Sequence, residues 1–199
     1  ELASLISLKK GDVYNAARLT DSTKRISDRM GNFGYAFANV NANPMTDKEK
    51  KEVAFTIFVD PGKRVYVRRI NLAGNTRTRD EVIRREFRQF ESSWYDGQKI
   101  KVSRDRVEFL GFFKEVTIDT PEVPTSTDQV DVNLTVTERP TGNIMIGAGY
   151  SSAEKMTITG SIQQTNAFGS GDTIGIDINT SHYNRTIALS HTDPDRKSV

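Results

Sequence analysis

The chain has 199 residues, with 28 Lys and Arg against 26 Asp and Glu, 36% apolar residues and no cysteine. That excludes a disulfide scaffold, a thiol nucleophile and thiolate metal sites, and the near-neutral balance does not describe a disordered polyelectrolyte. No apolar run approaches the ~18 residues of a membrane helix, whereas a β-barrel segment, whose signal is only weak alternation, stays open. The sequence starts at Glu1 without Met or a signal-like stretch and reads as an excised piece of something longer.

Charge divides the chain near residue 140. Residues 1–140 carry 24 basic and 21 acidic side chains, while 141–199 carry 4 and 5. Seven of the 14 glycines fall in that last stretch, and Pro140-Thr141-Gly142 is a suitable breaker at the step.

In chain order, the first stretch predicts a helix over Ala16–Arg29 ending near Phe33-Gly34, then an extended segment Tyr35–Asn41. A polar turn at Asn43-Pro44-Met45-Thr46 and an alternating strand Val53–Val59 follow. An offset of 77 residues then repeats the pattern. Asp28-Arg29-Met30 falls on Asp105-Arg106-Val107, and Phe33-Gly34-Tyr35 on Leu110-Gly111-Phe112. Val53, Phe55, Ile57 and Val59 fall on Val130, Val132, Leu134 and Val136, in phase. Phase matters, because a slip of one residue would exchange the faces of the strand. The second copy has more in front: a strand with Val65, Val67 and Ile70, the loop Gly74-Asn75-Thr76 and a helix Thr78–Gln89. It continues with a helix Val102–Leu110, an extended segment Phe113–Thr120, a turn Pro124–Thr127 and the closing strand. The order is β-α-α-β-β, an α+β module with both helices on one face of a small sheet. The first copy lacks its first strand.

Between Lys63 and Glu91 there are 9 basic and 4 acidic residues. Nucleic-acid binding is the sharper interpretation. Val82, Ile83, Glu86, Phe87 and Phe90 instead form a helical stripe, with Asp80→Arg84 and Glu81→Arg85 spaced as i,i+4 pairs. No zinc spacing or RNA-binding aromatic signature accompanies the basic run, so nucleic acid is set aside in favour of a protein-docking face.

The last 59 residues hold four alternating segments: Asn143–Tyr150, Met156–Gln163, Thr173–Asn179 and Arg185–His191. A soluble up-and-down sheet shows the same alternation. The second face is built from Thr, Ser, Gly, Gln and Asn rather than charge, which favours membrane strands. Four strands cannot close a barrel, which needs about eight, so most of a barrel would be missing. Enzymatic readings have little to rest on. His191-Thr192-Asp193 lacks a nucleophile and the further ligands a metal needs. Gly147-Ala148-Gly149 and Gly169-Ser170-Gly171 do not open helices after strands, so they are weak phosphate motifs. No cofactor is expected.

These segments resemble the BamA family of outer-membrane assembly factors, with its POTRA modules and barrel start. The likeness rests on Tyr66-Val67-Arg68-Arg69-Ile70, Gly74-Asn75-Thr76, Arg84-Arg85-Glu86-Phe87-Arg88-Gln89 and Leu110-Gly111-Phe112-Phe113. Asp128-Gln129-Val130-Asp131-Val132 and Gly147-Ala148-Gly149-Tyr150 complete it. It implies most of a penultimate POTRA at 1–62, the last POTRA at 63–140 and the first four strands of a transmembrane β-barrel at 142–194. Where the family continues with further strands, Asp195–Val199 departs, and an appended tail or a splice is expected there. The piece alone is not expected to insert proteins.

The resemblance implies a non-enzymatic part of the outer-membrane β-barrel assembly machinery, with POTRA modules in the periplasm and the strands in the outer membrane. Its partners would be unfolded outer-membrane clients, accessory lipoproteins and outer-membrane lipid. Exposed POTRA sheet edges would accept a client strand by main-chain hydrogen bonding, and the fragment alone would self-associate through its open edges. The lipoprotein would dock on Arg84, Arg85, Glu86 and Arg88, with Glu86 as the acidic contact or, on the plainer view, a member of an intrahelical pair. Gly147, Ala148, Gly149 and Tyr150 would form a weak barrel seam, the glycines lowering strand stability or simply making room for packing. The alternatives are a related POTRA-barrel secretion channel exporting one dedicated substrate and, further off, a soluble β-rich interaction module or adhesin.

Overall fold

The computed structural model describes residues 2–47, 49–152 and 155–194; the expected tail or splice at 195–199 lies outside the described residues. Helix α1 spans Ala16–Gly31. Its N-cap is Asn15, whose side-chain oxygen accepts from the Ala17 and Arg18 amides at 2.9 and 3.3 Å, satisfying donors that the first turn leaves open. Buried Ser22 donates to the Arg18 carbonyl at 2.7 Å and accepts from the Ser7 amide at 3.0 Å.

Strands β1 (Asn39–Asp47) and β2 (Glu52–Asp60) form a two-stranded antiparallel sheet with Pro44 opposite Phe55. Two expectations change here. Tyr35–Ala38 is a turn and not the start of a strand, and Asn43–Thr46 lies inside β1 rather than in a turn. The reason is that β1 is an edge strand, where a proline without an N–H is tolerated.

The second repeat runs β3 (Tyr66–Ala73), α2 (Asp80–Arg84), α3 (Gly97–Phe109), β4 (Phe113–Asp119) and β5 (Gln129–Glu138). Its sheet has the order β3-β5-β4, which puts β5 in the middle. Arg68 pairs with Asp131, Asn71 with Asn133 and Thr76 with Glu138. The partners advance in step, so β3 and β5 run parallel and require the long crossover that α2, α3 and β4 supply.

The helix expected over Thr78–Gln89 is the five-residue α2, capped at Arg85. What stops it is a competing set of bonds. The Arg88 amide donates to Ser103 Oγ at 2.8 Å. The fully buried Gln89 amide group donates to Ser93 Oγ (2.7 Å) and the Trp94 carbonyl (2.9 Å) and accepts from the Asp96 amide (3.0 Å). Burying a glutamine is tolerable only when its polar atoms are occupied, and that requires the chain to leave the helix.

Strands β6 (Gly142–Ser151), β7 (Lys155–Gln164), β8 (Thr173–Thr180) and β9 (Arg185–Thr192) form an antiparallel meander in the order β6-β7-β8-β9. No helix among the described residues is long and apolar enough to cross a membrane.

Packing divides the chain into two units, with the dividing line crossing β3, β4 and β5. One comprises the chain up to Asn71 with Phe87–Asp105 and Ile118–Leu134. Its interior holds Ile26, Val65, Val67, Ile70, Phe87, Ile100, Val130, Val132 and Leu134. The other comprises Leu72–Glu86, Arg106–Thr117 and the chain from Thr135, with Val82, Ile83, Val107, Phe112, Phe113, Val136 and Ala167 buried.

Candidate functional site

Strict alternation puts Ile144, Ile146, Ala148 and Tyr150 of β6 on one face of the meander. Register aligns them with Ile162, Gly160, Ile158 and Met156 of β7, then Ile176 and Ile178 of β8 with Leu189 and Ile187 of β9. This face is not covered: Ile146 is 83% exposed, Leu189 77% and Ile187 66%. Thr, Ser, Gln, Asn and Gly make up most of the other face. The arrangement is suited to contact with an apolar medium on one side and water or packed polar groups on the other.

Gly147, Ala148, Gly149 and Tyr150 lie on β6, an edge of this sheet that, among the described residues, pairs with β7 alone. The two glycines differ. A Cβ at Gly147 would come 2.7 Å from Thr159 Oγ1, whereas Gly149 has open space around it. Gly147 therefore serves close packing, and Gly149 leaves the strand lighter without a steric need.

The four residues of the expected docking group are not on one helix. Arg84 closes α2, Arg85 caps it, Glu86 follows in the turn and Arg88 lies in the irregular segment beyond. Arg84 and Arg88 are exposed. Glu86, with its side chain 15% exposed, contacts Arg106 of α3 at 2.6 Å and Arg85 Nε at 3.9 Å. Its short ion pair thus reaches another helix instead of lying within its own.

Sequence reading missed a polar hub around Glu138. The Thr78 amide donates to its carboxylate at 2.7 Å, the Arg77 amide at 3.1 Å and the Thr76 hydroxyl at 2.8 Å. Burial alone would raise the Glu138 carboxyl, but the Thr78 amide, the Thr76 and Thr78 hydroxyls and the Arg77 amide outweigh it and hold the group below its ordinary value. Thr78 is itself buried and accepts from Asn166 Nδ2 at 2.8 Å, while Asn166 Oδ1 accepts from the Gly171 amide at 2.9 Å. The Arg79 amide donates to the Gly169 carbonyl at 3.0 Å. Gly169, at φ +74°, has no room for a Cβ, which would fall 1.9 Å from the Arg77 carbonyl oxygen. The β7–β8 turn is therefore fastened to the loop before α2. The available sequence signal was Asn166 ahead of Gly169 and Gly171, residue types that tolerate left-handed backbone.

A second joint links the repeats through Arg64. Its guanidinium lies over the Trp94 ring at 4.1 Å, Trp94 stacks on Tyr66 at 3.9 Å, and Arg64 Nε donates to the Phe33 carbonyl at 2.9 Å. The Val65 amide donates to the Gly34 carbonyl at 2.9 Å, and the Gln98 amide to Asn32 Oδ1 at 2.9 Å. Between β3 and β5, Arg68 holds Asp131 with both ends of its fork, Nε at 2.8 Å. That hydrogen bond depresses the Asp131 carboxyl against the opposing effect of burial.

His191 faces Asp172 at 3.3 Å, and no cluster of three or more His, Cys, Asp or Glu fit for a metal exists among the described residues.

A family model, POTRA, described as "Surface antigen variable number repeat", matches residues 1–62 and 65–139. The chain belongs to the POTRA family. The outer membrane protein assembly factor BamA of Neisseria meningitidis is 37% identical over 98% of this chain and 24% of its own length. The namesake of Nitratidesulfovibrio vulgaris is 31% identical over 94% and 24%. Among solved structures, BamA from Haemophilus ducreyi lacking POTRA domains 1–3 superposes with a TM-score of 0.85 at 32% identity, over 98% of this chain and 37% of that one. Haemophilus influenzae BamA POTRA3-5 superposes at 0.66 with 35% identity, over 69% and 54%. The chain spans about a quarter of the length of the curated relatives it matches.

Proposed function

We propose that this chain is the part of an outer-membrane protein assembly factor where the periplasmic POTRA modules meet the membrane. On this view 1–62 is the penultimate POTRA, 63–140 the last, and 142–194 the first four strands of a barrel. The observation that carries the membrane assignment is the uncovered apolar face of β6–β9, on which Ile144, Ile146, Ile187 and Leu189 are all exposed; contiguous apolar patches of this kind mark a contact surface for a membrane or a partner. The likeness to assembly factors, including one solved with strands of this region, supports the same assignment.

The work done is binding and positioning, with no covalent chemistry and no cofactor. Unfolded outer-membrane clients would pair with open sheet edges, such as those of β1 and β2, through backbone hydrogen bonds that ignore client sequence. An accessory lipoprotein would dock at Arg84, Arg85, Glu86 and Arg88. The β6 segment Gly147–Tyr150 would form one side of a weak seam through which clients pass into outer-membrane lipid. The Glu138 hub suits this division of labour, because it fixes the β7–β8 turn to the module that receives partners. The same open edges let the isolated piece self-associate.

The full-length protein, purified with and without detergent, tests the assignment. It should be monodisperse only with detergent; monodispersity in plain buffer overturns the membrane reading. For docking, Glu86→Lys should weaken lipoprotein binding by about 2–5 kcal/mol, and unchanged affinity removes Glu86 from the contact.

A further inference from the structure

We propose that the cleft between the Arg77–Thr78 loop and the β7–β8 turn binds the phosphodiester of an anionic phospholipid head group; this rests on the membrane reading of β6–β9. The cleft has a volume of about 440 Å3, with Arg77, Glu138, Arg139, Gln164, Asn166 and Phe168 in its lining.

The charge left over decides the ligand class. The Glu138 carboxylate is occupied by the loop's own donors. Asn166 is occupied by Thr78 and Gly171, and the Gln164 amide donates to Thr141 Oγ1 at 2.7 Å and to the Thr165 carbonyl at 3.0 Å. Exposed Arg77 and Arg139 remain. Among the described residues Arg139 donates Nε to the Gly111 carbonyl at 2.6 Å, which leaves its two terminal nitrogens. Two guanidinium groups beside one carboxylate whose oxygens are already hydrogen-bonded leave the cleft a net positive charge, which fits a phosphate, an anion that takes arginine's planar fork in a bidentate manner.

Depth and apolar content point to a lipid as the source of that phosphate. Gly142 pairs with Gln164 at the rim, and Ile144 with Ile162 two residues further along. At about 3.3 Å per residue the apolar band starts roughly 7 Å from the cleft, comparable to the thickness of a head-group layer. Phe168 stands at the rim with a left-handed backbone (φ 53°, ψ 22°) and is 89% exposed. That conformation is costly for a bulky residue, and here it turns an aromatic ring outward. Aromatic side chains gather at the membrane boundary. A free phosphate would use the arginines and leave Phe168 without a role.

The test uses the full-length protein in phosphatidylcholine nanodiscs titrated with phosphatidylglycerol, counting retained lipid by native mass spectrometry. Near an anionic surface each arginine contributes roughly fivefold, so R77Q/R139Q should retain phosphatidylglycerol about thirtyfold more weakly, and R77K/R139K, which keeps the charge and loses the planar fork, should recover only part of it. Unchanged retention in R77Q/R139Q overturns the proposal, as does displacement by inorganic phosphate at equal concentration, which would assign the cleft to the free ion. A spin label on Phe168→Cys, with both arginines in place, gives an independent measure of depth. A label at head-group depth supports the cleft and one in bulk water overturns it. If the parent protein does not enter nanodiscs at all, the membrane reading falls instead.

Discussion

Strands β2 and β5 are written with the same alternation and end in different surroundings. Val130, Val132, Leu134 and Val136 of β5 are at most 3% exposed, whereas Val53, Phe55, Ile57 and Val59 of β2 are only half-buried. The pattern in a strand decides which face is apolar; the number of neighbours decides how much of that face is covered. β5 lies between β3 and β4, while β2, among the described residues, pairs with β1 alone. Burial of a Val or Leu side chain contributes about 1.5–3 kcal/mol, so one phrase of sequence has unequal energetic weight in its two settings.

The comparison can be broken directly. Leu134→Ala should cost about 2–5 kcal/mol in urea unfolding, the range for buried leucine, and Ile57→Ala clearly less; equal losses would show that neighbour number is not the cause. In the β7–β8 turn, Gly169→Ala should destabilise by several kcal/mol, because the turn would have to shift away from the Arg77 carbonyl. Asn166→Ala should cost about 1–3 kcal/mol by leaving a buried amide without its acceptor, read by the midpoint of thermal unfolding.

Acid sharpens the contrast further. Asp131 and Glu138, both on β5, sit below their ordinary values of 3.8 and 4.5 when folded. Their contribution is full above those values and is lost as pH falls through the lower folded ones. Asp131→Asn with Glu138→Gln should therefore flatten the acid limb of a stability titration, and an unaltered limb would disconnect these groups from it. The smallest effect is expected in the first repeat, where Asn15→Ala removes a helix cap at about 1 kcal/mol, measurable by helical circular dichroism during melting.

Much of the architecture was legible. The in-phase apolar quartets and the Gly-rich, charge-poor strands each follow from periodicity, and periodicity is local. What failed was also local but had been outvoted. Val82, Ile83 and Phe87 made a persuasive helical stripe, yet the polar atoms of Gln89 are met by Ser93, Trp94 and Asp96 and end the helix early. Pro44 looked like a turn because proline usually breaks strands, and only the strand count reveals that it occupies an edge. The Glu138 hub joins Glu138 to Thr78, 60 positions away, and Thr78 to Asn166, 88 positions away, and no linear pattern brings these three together. For Glu86 the spacing suggests an intrahelical pair, whereas its short contact is with Arg106 of α3, a meeting that spacing within one helix does not reveal.

The loop clamped by Glu138 and Gly169 has a dynamic consequence. The amides of Arg77, Thr78 and Arg79 all have protein acceptors although they belong to no strand and precede α2. Gly74, whose missing Cβ would fall 2.0 Å from the Val136 carbonyl oxygen, pins the loop's other end. These three protons should exchange with solvent as slowly as those of the neighbouring sheet and be released together with it. A connecting loop would then behave, on the timescale of hydrogen exchange, as an extra rung of the sheet it adjoins.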